Sequence, residues 1–188
     1  MYIAIEGIDT AGKSTQLDIL KNKYKDAVFT KEPGGTELGK DLREMVLSAR
    51  AKSKIAEMFI FLADRSEHFE EVIKANKGKM IISDRSFVSG VAYAKDFPLE
   101  MVLGLNAIAL DNTYPDKIIM LELGKDELIK RLASKENDGI ESRGIEYLLE
   151  IQSRMRSVIE GLGLSYLIVD ASLQIEEIEK KIEDFINE

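Results

Sequence analysis

The stretch Gly7-Ile8-Asp9-Thr10-Ala11-Gly12-Lys13-Ser14 decides the reading of this chain. It has the spacing G-x-x-x-x-G-K-[ST]. Its glycines let the backbone curl so that successive N–H groups face inward around an anion. A helix starting at Lys13 adds its positive N-terminal end. In such a loop the lysine reaches β- and γ-phosphates, and the Ser14 hydroxyl is offered to Mg²⁺. A chance match in a chain this long is on the order of one in a hundred or less. The alternative is a glycine-rich turn without a ligand. The context speaks against it, because the apolar run Tyr2–Glu6 ahead reads as a buried strand and Lys13–Lys25 behind reads as a helix. Residues Gly7 to Thr15, that is Gly7, Ile8, Asp9, Thr10, Ala11, Gly12, Lys13, Ser14 and Thr15, are therefore the expected ATP-phosphate site.

Working outward, strand and helix patterns alternate. Strands are expected at Ala27–Thr30, Met80–Ile82, Lys117–Leu123 and Tyr166–Val169. Helices are expected from the Thr36 cap to about Ser48, over one long span Ser53–Asn76, around a break at Pro98, and over Asp126–Ala133, Ile145–Leu162 and Ile175–Ile186. Along the long span Ile55, Met58, Phe59, Leu62, Phe69, Val72 and Ile73 fall near helical spacing. His68, between Glu67 and Phe69, reads as a surface residue. Alternation of this kind implies a parallel sheet with right-handed crossovers. The expectation is one three-layer α/β/α domain over 1–188, with a five-stranded parallel sheet and a lid at about 134–144.

Composition bounds the function. The chain has 188 residues, 45 % hydrophobic and 32 % charged, which suits one soluble domain with a full core. A net charge of −8 argues against a nucleic-acid partner, because phosphate contacts dominate such binding. It does not argue against nucleotides, which a few converging basic groups can hold. With no Cys there is no disulfide, thiolate nucleophile or cysteine metal site. No apolar run approaches the roughly 20 residues of a membrane span. A cytoplasmic location with no membrane partner is expected.

The second half of a phosphate site belongs at the end of a neighbouring strand. Ser83-Asp84-Arg85 supplies it. Asp84 is the candidate for holding magnesium with Ser14, and Arg85 the candidate for phosphoryl oxygens. A guanine-reading N-K-x-D is missing, since the nearest string, Asn76-Lys77-Gly78-Lys79, lacks the Asp and precedes its strand.

Taken together, the residues resemble the thymidylate kinase family over nearly the whole chain. The strings that carry the resemblance are Ile5–Gln16, Lys31-Glu32-Pro33-Gly34-Gly35-Thr36, Phe61-Leu62-Ala63-Asp64-Arg65, Asp84-Arg85-Ser86 with Ser89-Gly90-Val91-Ala92-Tyr93, Tyr114-Pro115-Asp116 and Asp170-Ala171-Ser172. The resemblance implies a P-loop kinase fold with a short helical lid, and transfer of the γ-phosphoryl group of ATP to dTMP with Mg²⁺. It also implies a homodimer, for which the Phe59-bearing helix is the candidate. Phe61 and Arg65, four apart on one helix face, suit a pyrimidine: the ring stacks and the arginine donates to thymine O4, where cytosine carries an amino donor. By the same resemblance Asp9 accepts from the acceptor's 3′-hydroxyl, and Arg85 and Arg43 take its phosphate. Glu32 and Pro33 position acceptor or magnesium through their loop. Ser89 lies in the segment closing the pocket, and Tyr93 packs near the sugar. Arg131, at the base of the lid, stacks on adenine.

One departure concerns charge. Some members carry an arginine where this chain has Thr10, and others carry D-R-x-E in the lid. Here the lid reads Asp138-Gly139-Ile140-Glu141, leaving Arg143 first and Lys135 second as the cations for the transferring group. Another pyrimidine nucleotide kinase, a deoxynucleoside kinase, or a non-catalytic nucleotide-binding regulator are the remaining alternatives.

Overall fold

The computed structural model describes residues 1–133 and 144–188. Lys135 and Arg143 lie outside the described residues. The elements follow in the order β1 (Tyr2–Glu6), α1 (Lys13–Lys23), β2 (Val28–Lys31), α2 (Glu37–Leu47), α3 (Lys54–His68), β3 (Ile81–Asp84), α4 (Phe87–Tyr93), α5 (Leu99–Ala109), β4 (Lys117–Glu122), α6 (Lys125–Ala133), α7 (Ile145–Gly161), β5 (Ser165–Asp170) and α8 (Ile175–Asn187).

The five strands form one parallel sheet in the order β2-β3-β1-β4-β5. The three central strands carry the apolar runs, and Ile3, Ala4, Ile5, Ile82 and Ile118–Leu121 are almost fully buried. Parallel strands covered by helices on both faces read as continuous apolar runs for this reason. Each fully buried Ile or Leu side chain contributes about 1.5–3 kcal/mol. The helices close the layers with spaced apolar faces. In α8 these are Ile178, Ile182, Phe185 and Ile186. The order and register bring the ends of β1, β2 and β3 to one edge, where Arg85 N donates to Ile5 O (2.9 Å) and Glu32 N to Asp84 O (3.0 Å).

One expectation needs correction. The long helix is not uniform: α3 ends at His68, and residues Phe69–Lys74 continue in wider π turns. Apolar spacing does not register this change, because Phe69 and Ile73 stay buried through it. Within α3 the apolar positions also divide. Met58 is buried, whereas Ile55 and Phe59 are 51 % and 53 % exposed. Thr36 caps α2 as expected, its hydroxyl accepting from Gly39 N at 2.9 Å.

Candidate active site

The loop after β1 is shaped by backbone angles that few residues adopt. Gly7 has φ +146°, and a Cβ there would lie 2.7 Å from Leu121 O. Gly12, at φ +95°, starts α1. Thr10 takes φ +71° without being glycine. The Lys13 ammonium is folded back onto the loop, donating to Gly7 O (3.0 Å) and Ile8 O (3.2 Å). Burial lowers its pKa to about 8, with neighbouring Arg85 acting in the same direction. Thr10 Oγ1 is buried without a hydrogen-bond partner among the described residues.

Across the sheet edge stands the end of β3. Asp84 Oδ1 is likewise buried with no partner among the described residues. Asp84 and Ser14 line the same cleft, of about 310 Å³, with Thr30, Lys31 and Gly35. A buried carboxylate oxygen without a donor, on a residue that lines a cleft together with a hydroxyl, fits a hard divalent cation. Ser14 and Asp84 are therefore the residues that could hold Mg²⁺.

Arg85 takes φ +70° and turns its side chain back toward the phosphate loop. Nη1 donates to Gly7 O (3.0 Å) and Ser89 Oγ (2.9 Å), and Nη2 to Asp9 Oδ1 (2.7 Å). Its guanidinium carbon lies 5.9 Å from the centre of the Tyr93 ring. The structure thus brings Asp9, Arg85, Ser89 and Tyr93 into one cluster.

Behind the cluster lies a carboxylate that sequence reasoning did not assign. Glu6 is fully buried, and accepts from Ser86 N (2.8 Å), Ser86 Oγ (2.7 Å) and Ser89 Oγ (2.5 Å). Burial raises its pKa, against the pull of the two serine hydroxyls. The available signal was a lone carboxylate ending a wholly apolar strand. Glu6 fixes the first turn of α4 against the end of β1.

Between the end of β2 and α3 the structure builds a second polar network. His68, expected at the surface, is fully buried. Its Nε2 is 2.6 Å from Thr30 Oγ1 and its Nδ1 2.9 Å from Glu32 Oε1. The other Glu32 oxygen accepts from Arg65 Nε at 2.8 Å. Burial pushes the Glu32 carboxyl up, but Arg65 and His68 outweigh it and hold the pKa below the ordinary value. Each Glu32 oxygen thus has a partner within the protein, Oε2 from Arg65 and Oε1 from His68. The Glu32-Pro33 peptide bond is cis. Arg65 is only 4 % exposed, more enclosed than a surface-facing reader would be, while Phe61 beside it is half-buried. Asn106 of α5, not singled out from sequence, also bonds Arg65, with its Oδ1 2.6 Å from Nη1. A single amide inside the apolar run Met101–Leu110 was the signal for it.

Two further arginines act on loops. Arg43 donates to Pro33 O at 3.1 Å and packs beside Gly34. Arg131 donates to Thr10 O (3.1 Å), Ala171 O (2.6 Å) and Glu127 (2.8 Å), tying the phosphate loop to the loop after β5.

Known proteins resemble this chain throughout. A family model described as thymidylate kinase matches residues 5–182. A thymidylate kinase of Aliarcobacter butzleri is 59 % identical over 187 residues, covering 100 % of this chain and 99 % of that one. One of Sulfurimonas denitrificans is 53 % identical with 100 % of both chains covered. One of Campylobacter jejuni is 50 % identical over 99 % of this chain and 100 % of its own. The crystal structure of thymidylate kinase from Ehrlichia chaffeensis shares the fold, with a TM-score of 0.78 at 24 % identity, over 100 % of this chain and 98 % of that one.

Proposed function

The chain belongs to the thymidylate kinase family, and we infer that its cleft carries out the ATP-dependent phosphorylation of dTMP to dTDP with the residues described above. The observation that carries this reading is the meeting of two strand ends. The Lys13 loop after β1, which carries Asp9, faces Arg85 after β3 and the Asp84 oxygen that has no partner among the described residues.

Each group has a task. The amides of residues 7–14 and the Lys13 ammonium hold the β- and γ-phosphates. Mg²⁺, held by Ser14 and Asp84, would neutralise charge on the phosphate oxygens. Arg85 binds the acceptor phosphate, aided by Arg43 from the 33–34 turn. Asp9 accepts from the 3′-hydroxyl. Phe61 stacks on the base, Arg65 donates to O4, and Tyr93 with Ser89 borders the sugar. Arg131, which donates to Thr10 O of the phosphate loop, covers adenine. No general base is required: the attacking group is already a phosphate anion, and such transfer is mostly positioning and charge neutralisation. Thr10 carries no charge, so the cation reaching the transferring group is Arg143 of the lid, with Lys135 second.

A homodimer is part of the same proposal. What supports it is the exposed pair Ile55 and Phe59 on α3, one turn apart. A cytoplasmic location fits substrates that are highly charged and do not cross membranes unaided.

A coupled ADP-release assay over dTMP, dUMP, dCMP, dGMP and thymidine tests the reading. The expected result is magnesium-dependent turnover with dTMP ahead of the others. Turnover of thymidine but of no monophosphate would replace the reading with a nucleoside kinase. Absence of turnover with all five would leave a nucleotide-binding regulator.

A further inference from the structure

Arg65 is gripped from several sides by groups on different elements. Nε donates to Glu32 Oε2 after β2 at 2.8 Å, Nη1 to Asn106 Oδ1 of α5 at 2.6 Å, and Nη2 to Ser86 O before α4 at 3.2 Å. Against the terminal nitrogens lies Gly90. A Cβ at that position would stand 2.6 Å from Nη1 and 3.0 Å from Nη2. No side chain fits there unless the guanidinium moves.

The Asn106 amide has a fixed orientation. Its Nδ2 donates to Val102 O at 2.7 Å, one turn earlier in α5. A guanidinium has only donors and a carbonyl only accepts, so Oδ1 must face Arg65 and Nδ2 must face Val102. Asn106 is 1 % exposed and has no route to another rotamer without leaving a buried polar group unpaired.

We propose that Asn106 and Gly90 are specificity-determining positioning residues, which hold the Arg65 guanidinium plane so that it meets a carbonyl oxygen, and not an amino group, on the acceptor base. The proposal rests on the reading of Arg65 as the residue that faces that base. Three of its five N–H bonds are spent on Glu32, Asn106 and Ser86. The remaining two, one on each terminal nitrogen, have no partner among the described residues. The guanidinium is planar, so tying Nε, Nη1 and Nη2 fixes the direction of both remaining donors. A fixed donor rejects a base that presents its own donor, because one N–H is then left unpaired in a buried site. A guanidinium free to tilt accommodates either.

The test is steady-state kinetics of the full chain at saturating MgATP with dTMP and dCMP, on wild type, N106L, G90A, R65Q and N106L/R65Q. Thermal unfolding of each variant is followed alongside. Wild-type turnover of dTMP checks the underlying reading by itself. N106L and G90A are each expected to raise the KM for dTMP about tenfold, with a smaller change in kcat and an unchanged KM for ATP. Both are expected to narrow the preference for dTMP over dCMP. In the R65Q background N106L should change that preference no further, because its effect runs through Arg65. The proposal is overturned if folded N106L or G90A keeps the wild-type preference, or if N106L and R65Q act additively. Should G90A not fold, N106L and the double variant still decide between these outcomes.

Discussion

Arg85 Nη2 lies 2.7 Å from Asp9 Oδ1, which joins the strand end of β3 to the glycine-rich loop after β1. The two residues are 76 positions apart in the chain and meet because β1 and β3 are paired in register, Ile5 opposite Asp84. The same guanidinium also reaches Gly7 O and Ser89 Oγ. One side chain thereby sets the distance between the two halves of the site.

Replacing that fork with a single ammonium, Arg85→Lys, keeps the charge and loses the simultaneous contacts. The kcat/KM for dTMP should fall about 100-fold, the scale of a misplacement near 1 Å, while the KM for ATP changes little. Initial-rate measurements with each substrate varied separately check this. Equal losses on both substrates would place Arg85 in the general framework instead.

Lys13 should make nucleotide binding depend on pH. Its folded pKa of about 8 lies below the ordinary 10.5, so between those values the unfolded chain binds the extra proton. Stability contributed by this group therefore rises with pH across that window. Phosphates beside Lys13 favour the ammonium, so binding a non-hydrolysable ATP analogue at about pH 8.5 should take up protons. Calorimetry in buffers of different ionisation enthalpy reads the uptake directly, and Lys13→Ala should abolish it.

Glu32 should show itself in acid, and its partner His68 at neutral pH. The folded pKa of Glu32 is below its ordinary 4.5, so its contribution is present above pH 4.5 and lost as pH falls through the folded value. His68→Leu removes the partner of a buried carboxylate oxygen, and should cost about 1–3 kcal/mol in urea unfolding at neutral pH. Glu32→Gln should flatten the acid limb of the stability profile. An unchanged urea midpoint in His68→Leu would contradict the bonding seen here.

The apolar pair on α3 gives a prediction about assembly. Ile55→Glu with Phe59→Glu should leave the fold intact, since both side chains are about half exposed, and should shift the chain from dimer to monomer in sedimentation. A monomeric parent protein would remove the basis of that expectation.

Much of the phosphate half was legible in one dimension. Gly7 and Gly12 stand where φ is positive, and glycine marks such turns in any sequence. The apolar runs ending at Glu6 and Asp84 announced buried parallel strands, and the sites follow directly after them. The acceptor half was less legible, for a physical reason. His68 has Glu67 and Phe69 as chain neighbours, which suggests nothing, and its burial depends on Thr30 and Glu32, 38 and 36 residues away. Asn106 reaches Arg65 across 41 residues. Polar networks that unite distant segments leave no periodic trace. The string Phe61–Arg65 singles out Arg65 in the sequence, but nothing in it points to Glu32 or Asn106, which bond it.

The sheet and the polar network fail under different stresses. The strands beneath the phosphate loop are held by apolar burial, whereas the grip on Arg65 depends on hydrogen bonds linking edge strand β2 to α3, α4 and α5. Segments with fewer apolar contacts open first. On gentle heating, then, discrimination among bases should blur before catalysis stops, and catalysis should stop before the sheet melts: the enzyme would grow careless before it grows inert.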